Sequence, residues 1–468
     1  MAAVLTDRLQ SAKEQAIRSV DQERKLFAEV NRRIWHLAEP SLLEHESAER
    51  LARLLEENGF RVTRGVADMP TAFVAEWGSG DPVVGILAEY DALPSLSQKA
   101  QTEREELVLG AHGHGCGHSV FGTACAFGGI AAKQAMESAG IAGRLRVYGC
   151  PAEELLVGKV YMARAGLFDD LDAAISWHPA DKTRVSLGCS KAMVSVRYSF
   201  AGVAAHASTS PHRGRSALDA VELMNVGVNY MREHIKEDAR IHYVITDGGI
   251  QPNVVPPKAS VWYYVRADAH GDVEEYLAWV DQIAEAAAKM SQTRLVERKL
   301  DTDCHELVPN RAIGEAIDRN LRLVGPPGFD EAERTFAARI RTTILDAKPG
   351  PALSDEIQSI EEKKTSGGST DVGDVSWLVP TEQFVATTHA NGCPGHSWQI
   401  TACTGTTIGE KGGAVAAKTL ACTALELLGD QNLRERAKAE FRERRGDAPY
   451  TLLIPTDQKP PIPGQGGR

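Results

Sequence analysis

No stretch of this 468-residue chain approaches the ~20 consecutive apolar residues that a helix needs to cross a bilayer. Positive charge is in short supply. Lys and Arg number 52 against 63 Asp and Glu, a net charge of −11. A general binder of nucleic acid or of anionic membranes carries a basic face, so neither nucleic acid nor membrane is an expected partner. The opening residues Met1 to Arg8 lack the basic-then-apolar order of a secretory signal, and cytoplasmic residence is expected. Cysteines are few and scattered, at 116, 125, 150, 189, 304, 393, 403 and 422. A large chain without an export signal has no need of a disulfide framework, so most of these thiols are expected to be small buried residues. There is no internal repeat. No Lys-Ser/Thr follows the glycine-rich stretch around Gly113 to Gly117, which argues against a phosphate-binding loop.

What is present is an ordinary globular composition, 43% hydrophobic and 25% charged, at a length that allows two or more domains. Leu42 to Asn58 has a helical apolar face, stopped by Gly59. Ala72–Trp77, Leu145–Cys150 and Ala173–Trp177 read as strands. Val83-Val84-Gly85-Ile86-Leu87-Ala88 is a continuous apolar run of strand length, as in a sheet covered on both faces. Helical segments lie between, notably Val120 to Met136. The alternation predicts an α/β fold with a mainly parallel sheet. Polar residues follow the strand ends, where sites form in such sheets.

The middle of the chain reads strand Met193–Phe200, helix Ser216–Met231, strands His242–Ile245 and Ser260–Arg266, helix Val273–Met290 and strand Thr293–Arg298. The order β-α-β-β-α-β is that of a ferredoxin-like split unit. We expect residues 190–302 to form an inserted domain, and 1–189 with 303–468 to form the other. A helix near Asn310–Val324 and a long one at Gly412 to Leu428 complete the first domain. Pro349 to Ser369 reads as a mobile polar loop and Pro455 to Arg468 as irregular.

Five scattered groups share one chemistry: Cys116-Gly117-His118, Glu153-Glu154, His178, His206 and His396. Thiolate, imidazole and carboxylate bind borderline divalent metals. Each group also has a plainer reading: a glycine-rich turn with a buried thiol, a solvated acidic turn, structural histidines. His389 competes with His396 for a late ligand role. If Glu153-Glu154 is extended, its two carboxylates face opposite ways, so one can face a metal and the other a water that the metal acidifies. Together the groups suggest a metal-dependent hydrolase. In the middle segment His206, Asn253 in Pro252-Asn253-Val254-Val255 and Arg266 at a strand end can donate to an oxyanion or a carboxylate; loop and edge polarity is the alternative.

Taken in order, Leu87-Ala88-Glu89-Tyr90-Asp91-Ala92-Leu93, Gly113-His114-Gly115-Cys116-Gly117-His118, Cys150-Pro151-Ala152-Glu153-Glu154, Trp177-His178-Pro179, Ala204-Ala205-His206-Ala207, Ser369-Thr370-Asp371-Val372-Gly373-Asp374 and His396-Ser397-Trp398 resemble the motifs of a known family. These are the dinuclear metal amidohydrolases that include aminoacylases, hippurate hydrolases, auxin-conjugate hydrolases and glutamate carboxypeptidases; the likeness is strongest to the p-aminobenzoyl-glutamate hydrolase branch, in its B-type subunits. The resemblance implies that Cys116, His118, Glu154, His178 and His396 bind two divalent ions, commonly Zn or Mn. It implies that Glu153 is the general base and then the acid toward the leaving amine. His206 would stabilise the oxyanion, in many relatives from the partner subunit, and Asn253 and Arg266 would bind substrate. The inserted domain would serve as lid and dimerisation domain, in a homodimer or with a related subunit. The expected reaction is cleavage of an N-acyl or N-aroyl amino acid, with p-aminobenzoyl-glutamate as the named substrate. A dipeptidase or an aromatic-amine hydrolase on the same fold, and a non-catalytic metal-bound partner subunit, are the alternatives. Two departures bear on substrate. Leu155-Leu156-Val157 stands where relatives are glycine-rich, so that Leu155 and Val157 would shape an apolar pocket. Asn391-Gly392-Cys393-Pro394-Gly395 replaces a Gly-Thr-Pro, and Cys393 is not expected to be a ligand.

Overall fold

The protein, a computed structural model, is described for residues 2–365 and 367–464. Twelve strands carry the fold: β1 Arg61–Arg64, β2 Phe73–Ser79, β3 Val83–Ala88, β4 Gly143–Gly149, β5 Ala173–Ala180, β6 Arg184–Cys189, β7 Ala192–Ala201, β8 Arg240–Asp247, β9 Lys258–Ala267, β10 Arg294–Cys304, β11 Glu361–Thr365 and β12 Thr381–Thr387. Eight form one sheet in the order β1-β2-β4-β3-β5-β12-β6-β11. Its central four, β4, β3, β5 and β12, are mutually parallel, while β1, β2 and the β12–β6 contact add antiparallel pairs.

The apolar run at β3 is continuous because both faces of the sheet are covered. Val84, Ile86 and Ala88 enter the cluster built by helices Ala2–Gln22, His118–Ala139 and Thr407–Gly429. Val83 and Leu87 point the other way, into a cluster with Val160, Tyr161, Val372 and Val375. Burying each Val, Ile or Leu is worth roughly 1.5–3 kcal/mol, so helices on both faces hold the sheet's centre rigid.

The other four strands form a second sheet in the order β10-β7-β9-β8, antiparallel throughout. Helices Ala217–Met231 and His270–Met290 cover one face. This is the ferredoxin-like order expected from the pattern. The chain enters this sheet through Ser190-Lys191 and leaves it at Cys304.

The segment expected as a mobile loop at 349–369 differs. Residues 361–365 form β11, paired in parallel with β6; an edge strand needs only a neighbour's open backbone groups, and the charged sequence Glu-Glu-Lys-Lys-Thr gives no strand signal. Ser366 within that range lies outside the described residues, as do 465–468 of the irregular tail. The tail from Pro455 to Gly464 has no helix or strand. No helix of the described residues is long and apolar enough to cross a membrane.

Candidate metal centre

Donor atoms arrive at one end of the main sheet, beyond the carboxyl ends of its parallel strands. Glu89 and Asp91 follow β3, Glu153 and Glu154 follow β4, and His178 lies near the end of β5. Cys116 and His118 flank Gly117, which starts the helix His118–Ala139 with φ +85°; a Cβ there would lie 2.8 Å from Pro179. His396, with φ 55°, sits just before the helix Trp398–Thr404.

These side chains meet. Cys116 Sγ lies 3.3 Å from His178 Nε2, and His396 Nε2 lies 3.2 Å from Glu154 Oε2. Cys116, His118 and His178 form one cage of donors, Cys116, Glu154 and His396 a second, and Glu89, His118 and Glu153 a third, with donor atoms within 4.8 Å of one another in each. Cys116 is shared by the first two, so the cages are contiguous.

The ring orientations are set from outside. His178 Nδ1 donates to the Pro179 carbonyl at 2.8 Å, which leaves the Nε2 lone pair toward Cys116. His118 Nδ1 donates to Asp91 Oδ1 at 2.8 Å. Asp91 is itself held by Ser41 Oγ at 2.7 Å and the Glu154 N–H at 3.0 Å. A carboxylate behind a ligating imidazole fixes ring and tautomer and raises ligand basicity. His118 Nε2, Glu89 Oε2 and Glu154 Oε1 are buried without a hydrogen-bond partner among the described residues. Buried polar atoms are costly unless satisfied, and these three face the donor cages.

The electrostatics agree with the geometry. Burial, reinforced by Glu89 and Glu154, pushes the Glu153 carboxyl well above its ordinary range. Burial with the charges of Asp91 and Glu89 lifts Glu154 to about 7. Burial, then the nearby His118, lowers His178 to about 4. Burial opposes the charge on Asp91, but the hydrogen bond from His118 prevails and holds it below the ordinary range. Burial disfavours a proton on His118, but the neighbouring Cys116 and Asp91 prevail and hold it well above the ordinary imidazole range; negative groups crowded into a dry site and drawing positive charge in this way are complementary to divalent cations of borderline softness. The donor set fits metal ions.

Two expectations about local geometry need correction. Glu153-Glu154 is not extended: Glu153–Leu155 is a tight 3-10 turn between Ala152 and Leu156, both left-handed at φ 56° and 55°. Successive side chains therefore fan around a turn of about three residues rather than opposing each other. Leu156 lines the cavity, while Val157 and Leu155 pack into the core behind it.

The cavity over the donors has a volume of about 470 Å³, in the range of sites for small organic molecules. Ser369, Thr370, Gln383 and Arg266 give it polar walls, and Leu156, Met193, Tyr264 and Phe384 apolar ones. Arg266, from β9 of the second sheet, donates to Ser369 Oγ at 3.3 Å; its Nε is buried with no partner among the described residues. His206 and Asn253 are placed elsewhere. Their segments pair with each other, through the His206–Val254 bridge and the Ala207 N–H to the Asn253 carbonyl at 2.9 Å, but both residues are exposed and neither lines the cavity. His389 is buried beside Thr388 and outside the three cages.

Over 94% of its length the chain is 39% identical to the B-type subunit of p-aminobenzoyl-glutamate hydrolase from Escherichia coli, covering 97% of that protein. The chain belongs to the M20 family of metal-dependent amidohydrolases. A family profile described as the peptidase dimerisation domain matches residues 190–291. The Xaa-Arg dipeptidase of Mus musculus is 27% identical, with 93% of each chain covered. A crystal structure of a dinuclear metal-binding peptidase of the M20 family from Bacillus subtilis has the same fold, with a TM-score of 0.56 at 18% identity over 87% of this chain and 99% of that one. The protein is therefore a hydrolase of carbon–nitrogen amide bonds that works with bound metal.

Three residues of the centre carry no role in the sequence reading: Glu89, Asp91 and Lys159. Glu89-x-Asp91 stands directly at the end of the most apolar strand, a position where charge is informative. Lys159 is the one cation between Leu155 and Ala163, and its side chain is wholly buried.

Proposed function

We propose that the chain hydrolyses the amide bond of an N-aroyl or N-acyl amino acid, with p-aminobenzoyl-glutamate, cleaved to p-aminobenzoate and glutamate, as its substrate. The observation that carries this reading is Glu153, a buried carboxylate set beside two contiguous donor cages and opening onto the cavity. Cys116, His118, Glu154, His178 and His396 would hold two divalent ions, zinc or manganese. Such ions supply acidity to a water and polarise the scissile carbonyl. Glu153 would take a proton from a water as its oxygen bonds to the scissile carbonyl carbon, and would return that proton to the amine nitrogen as the carbon–nitrogen bond breaks, as general base and then general acid. Arg266 receives the substrate carboxylate, which would give its Nε, buried without a partner among the described residues, an acceptor. Leu156, Met193 and Tyr264 face the apolar part of the substrate.

In the same reading, residues 190–302 form the lid and dimerisation domain. One edge of the second sheet is β8, and Val244 and Ile245 on it are exposed, as are Val226 and Tyr230 on the helix Ala217–Met231. An apolar open edge favours pairing with a second chain. In such a homodimer, exposed His206 and Asn253 would reach the cavity of the other protomer, where His206 donates to the oxygen that becomes negative.

Three measurements test this. A panel of p-aminobenzoyl-glutamate, N-acyl amino acids and dipeptides ending in arginine should show turnover of the first; turnover of dipeptides alone would displace it in favour of a dipeptidase. Chelation should abolish activity, and restoration with zinc or manganese singly identifies the ion; the shared thiolate favours zinc on softness. Arg266→Met should raise KM for a carboxylate substrate by roughly 10- to 100-fold, the worth of a hydrogen bond to a charged group, and leave KM for the corresponding amide nearly unchanged. Equal effects on both would remove Arg266 from carboxylate binding.

A further inference from the structure

Lys159 has a wholly buried side chain next to an acidic centre. Its ammonium lies 2.7 Å from Glu89 Oε1 and pairs with Asp371 Oδ1, while Asp371 Oδ2 accepts the Lys159 main-chain N–H at 2.8 Å. Asp371 thus grips Lys159 at both ends and leaves the ammonium aimed at Glu89. Three segments are joined by this one cation. Glu89 is two residues from Asp91, which orients His118. Lys159 lies in the first turn of the helix Gly158–Arg164 that follows the Glu153–Leu155 turn. Asp371 follows Ser369 and Thr370, which line the cavity, and Ser369 meets Arg266.

With Glu89 Oε1 held by the ammonium, Oε2 is turned to the centre, 3.5 Å from His118 Nε2, and the Glu89 and Glu153 carboxylates approach within 4.8 Å. A carboxylate so close to two working groups is a rival to both. Released, it could rotate Oε1 inward as well, to bind where a metal or water belongs or to hydrogen-bond to Glu153. A buried ion pair is weak as a source of stability, because desolvation offsets its Coulombic gain; its value lies in fixing geometry. We infer that Lys159 is a positioning residue: clamped by Asp371, it holds Glu89 Oε1 so that Oε2 keeps one fixed place beside His118 and Glu153, and it locks the Ser369-Thr370 wall to the turn that carries Glu153, so that it governs turnover rather than metal occupancy.

This inference rests on Glu153 being the base, and Glu153→Ala is therefore run beside it. The test compares Lys159→Met with the unaltered protein in kcat, KM, metal content and metal affinity by competition with a chromophoric chelator. The expected result is a fall in kcat of about 10- to 100-fold, the usual effect of losing a supporting partner of a metal site. Two metals stay bound, with affinity equal or tighter because a positive neighbour has gone and a carboxylate has been freed. A merely structural lysine would give the opposite pairing, metal and activity lost in step, and that outcome overturns the inference, as does an unchanged kcat. Lys159→Met leaves Glu89 and Asp371 uncompensated in the interior and can fail to fold. Lys159→Met combined with Asp371→Asn removes one charge of each sign; it should fold, keep metal and show the same loss of kcat, and wild-type turnover in that double variant overturns the inference. If instead Glu153→Ala stays active, the assignment of the base fails, which is read separately from the Lys159 result.

Discussion

Glu153→Ala is expected to lower kcat by about 10²- to 10⁴-fold, the contribution of a well-placed general base, while both metals remain bound. The separation follows from the geometry. The two cages that share Cys116 draw on Cys116, His118, Glu154, His178 and His396 and not on Glu153. Glu153 belongs only to the group with Glu89 and His118 and lines the cavity, where a water and a substrate amide can both reach it. Glu153→Gln separates charge from shape, since the amide keeps the volume and a hydrogen bond but cannot accept the proton. It should be as slow as the alanine variant, with KM nearly unchanged. Metal analysis of both variants decides the matter: loss of one equivalent of metal along with activity would reassign Glu153 as a ligand, and a slow enzyme with full metal supports the base. Near-normal turnover in either would falsify the proposed role.

How much of this is legible in the sequence depends on whether the cue is local. The β3 run and the ferredoxin-like order of the middle segment carry their pattern in consecutive residues, and both form where expected. β12 has no such cue: Thr381-Glu382-Gln383 begins it with polar residues, and Glu382 is buried there only because the backbone N–H groups of Asn310 and Gln383 bond its carboxylate. Long-range partners of that kind leave no local trace. The same division holds at the centre. Cys116, His118, Glu154, His178 and His396 stand out because their residue types announce ligation. Asp91 and Lys159 do not, since an aspartate and a lysine acquire meaning here only by facing His118 and Glu89 across the fold. The extended reading of Glu153-Glu154 fails because Ala152 and Leu156 give no composition signal for left-handed backbone; packing and the hydrogen bond from the Ala152 N–H to Glu44 impose it.

Mixing two inactive variants is expected to restore activity if the centre is shared between protomers. His206→Ala alone should cost about 10²- to 10³-fold in kcat, the effect of removing one oxyanion donor, although His206 lines no part of its own chain's cavity. The complementation follows from two-fold symmetry. In a dimer of one His206→Ala chain and one Glu153→Ala chain, one centre lacks both groups. The other combines the intact Glu153 of the first chain with the intact His206 of the second and is complete. Random exchange makes half of all dimers mixed, so the mixture should recover about a quarter of wild-type activity. Recovery should appear only after dissociation and reassociation, because the subunits must exchange, and should be absent when either variant is mixed with itself. A mixture that stays as inactive as its components, with exchange shown independently by mass-tagged subunits, would place His206 in service of its own chain or of none. In that case the exposed edge at β8 would need another partner, such as a related subunit carrying the complementary histidine.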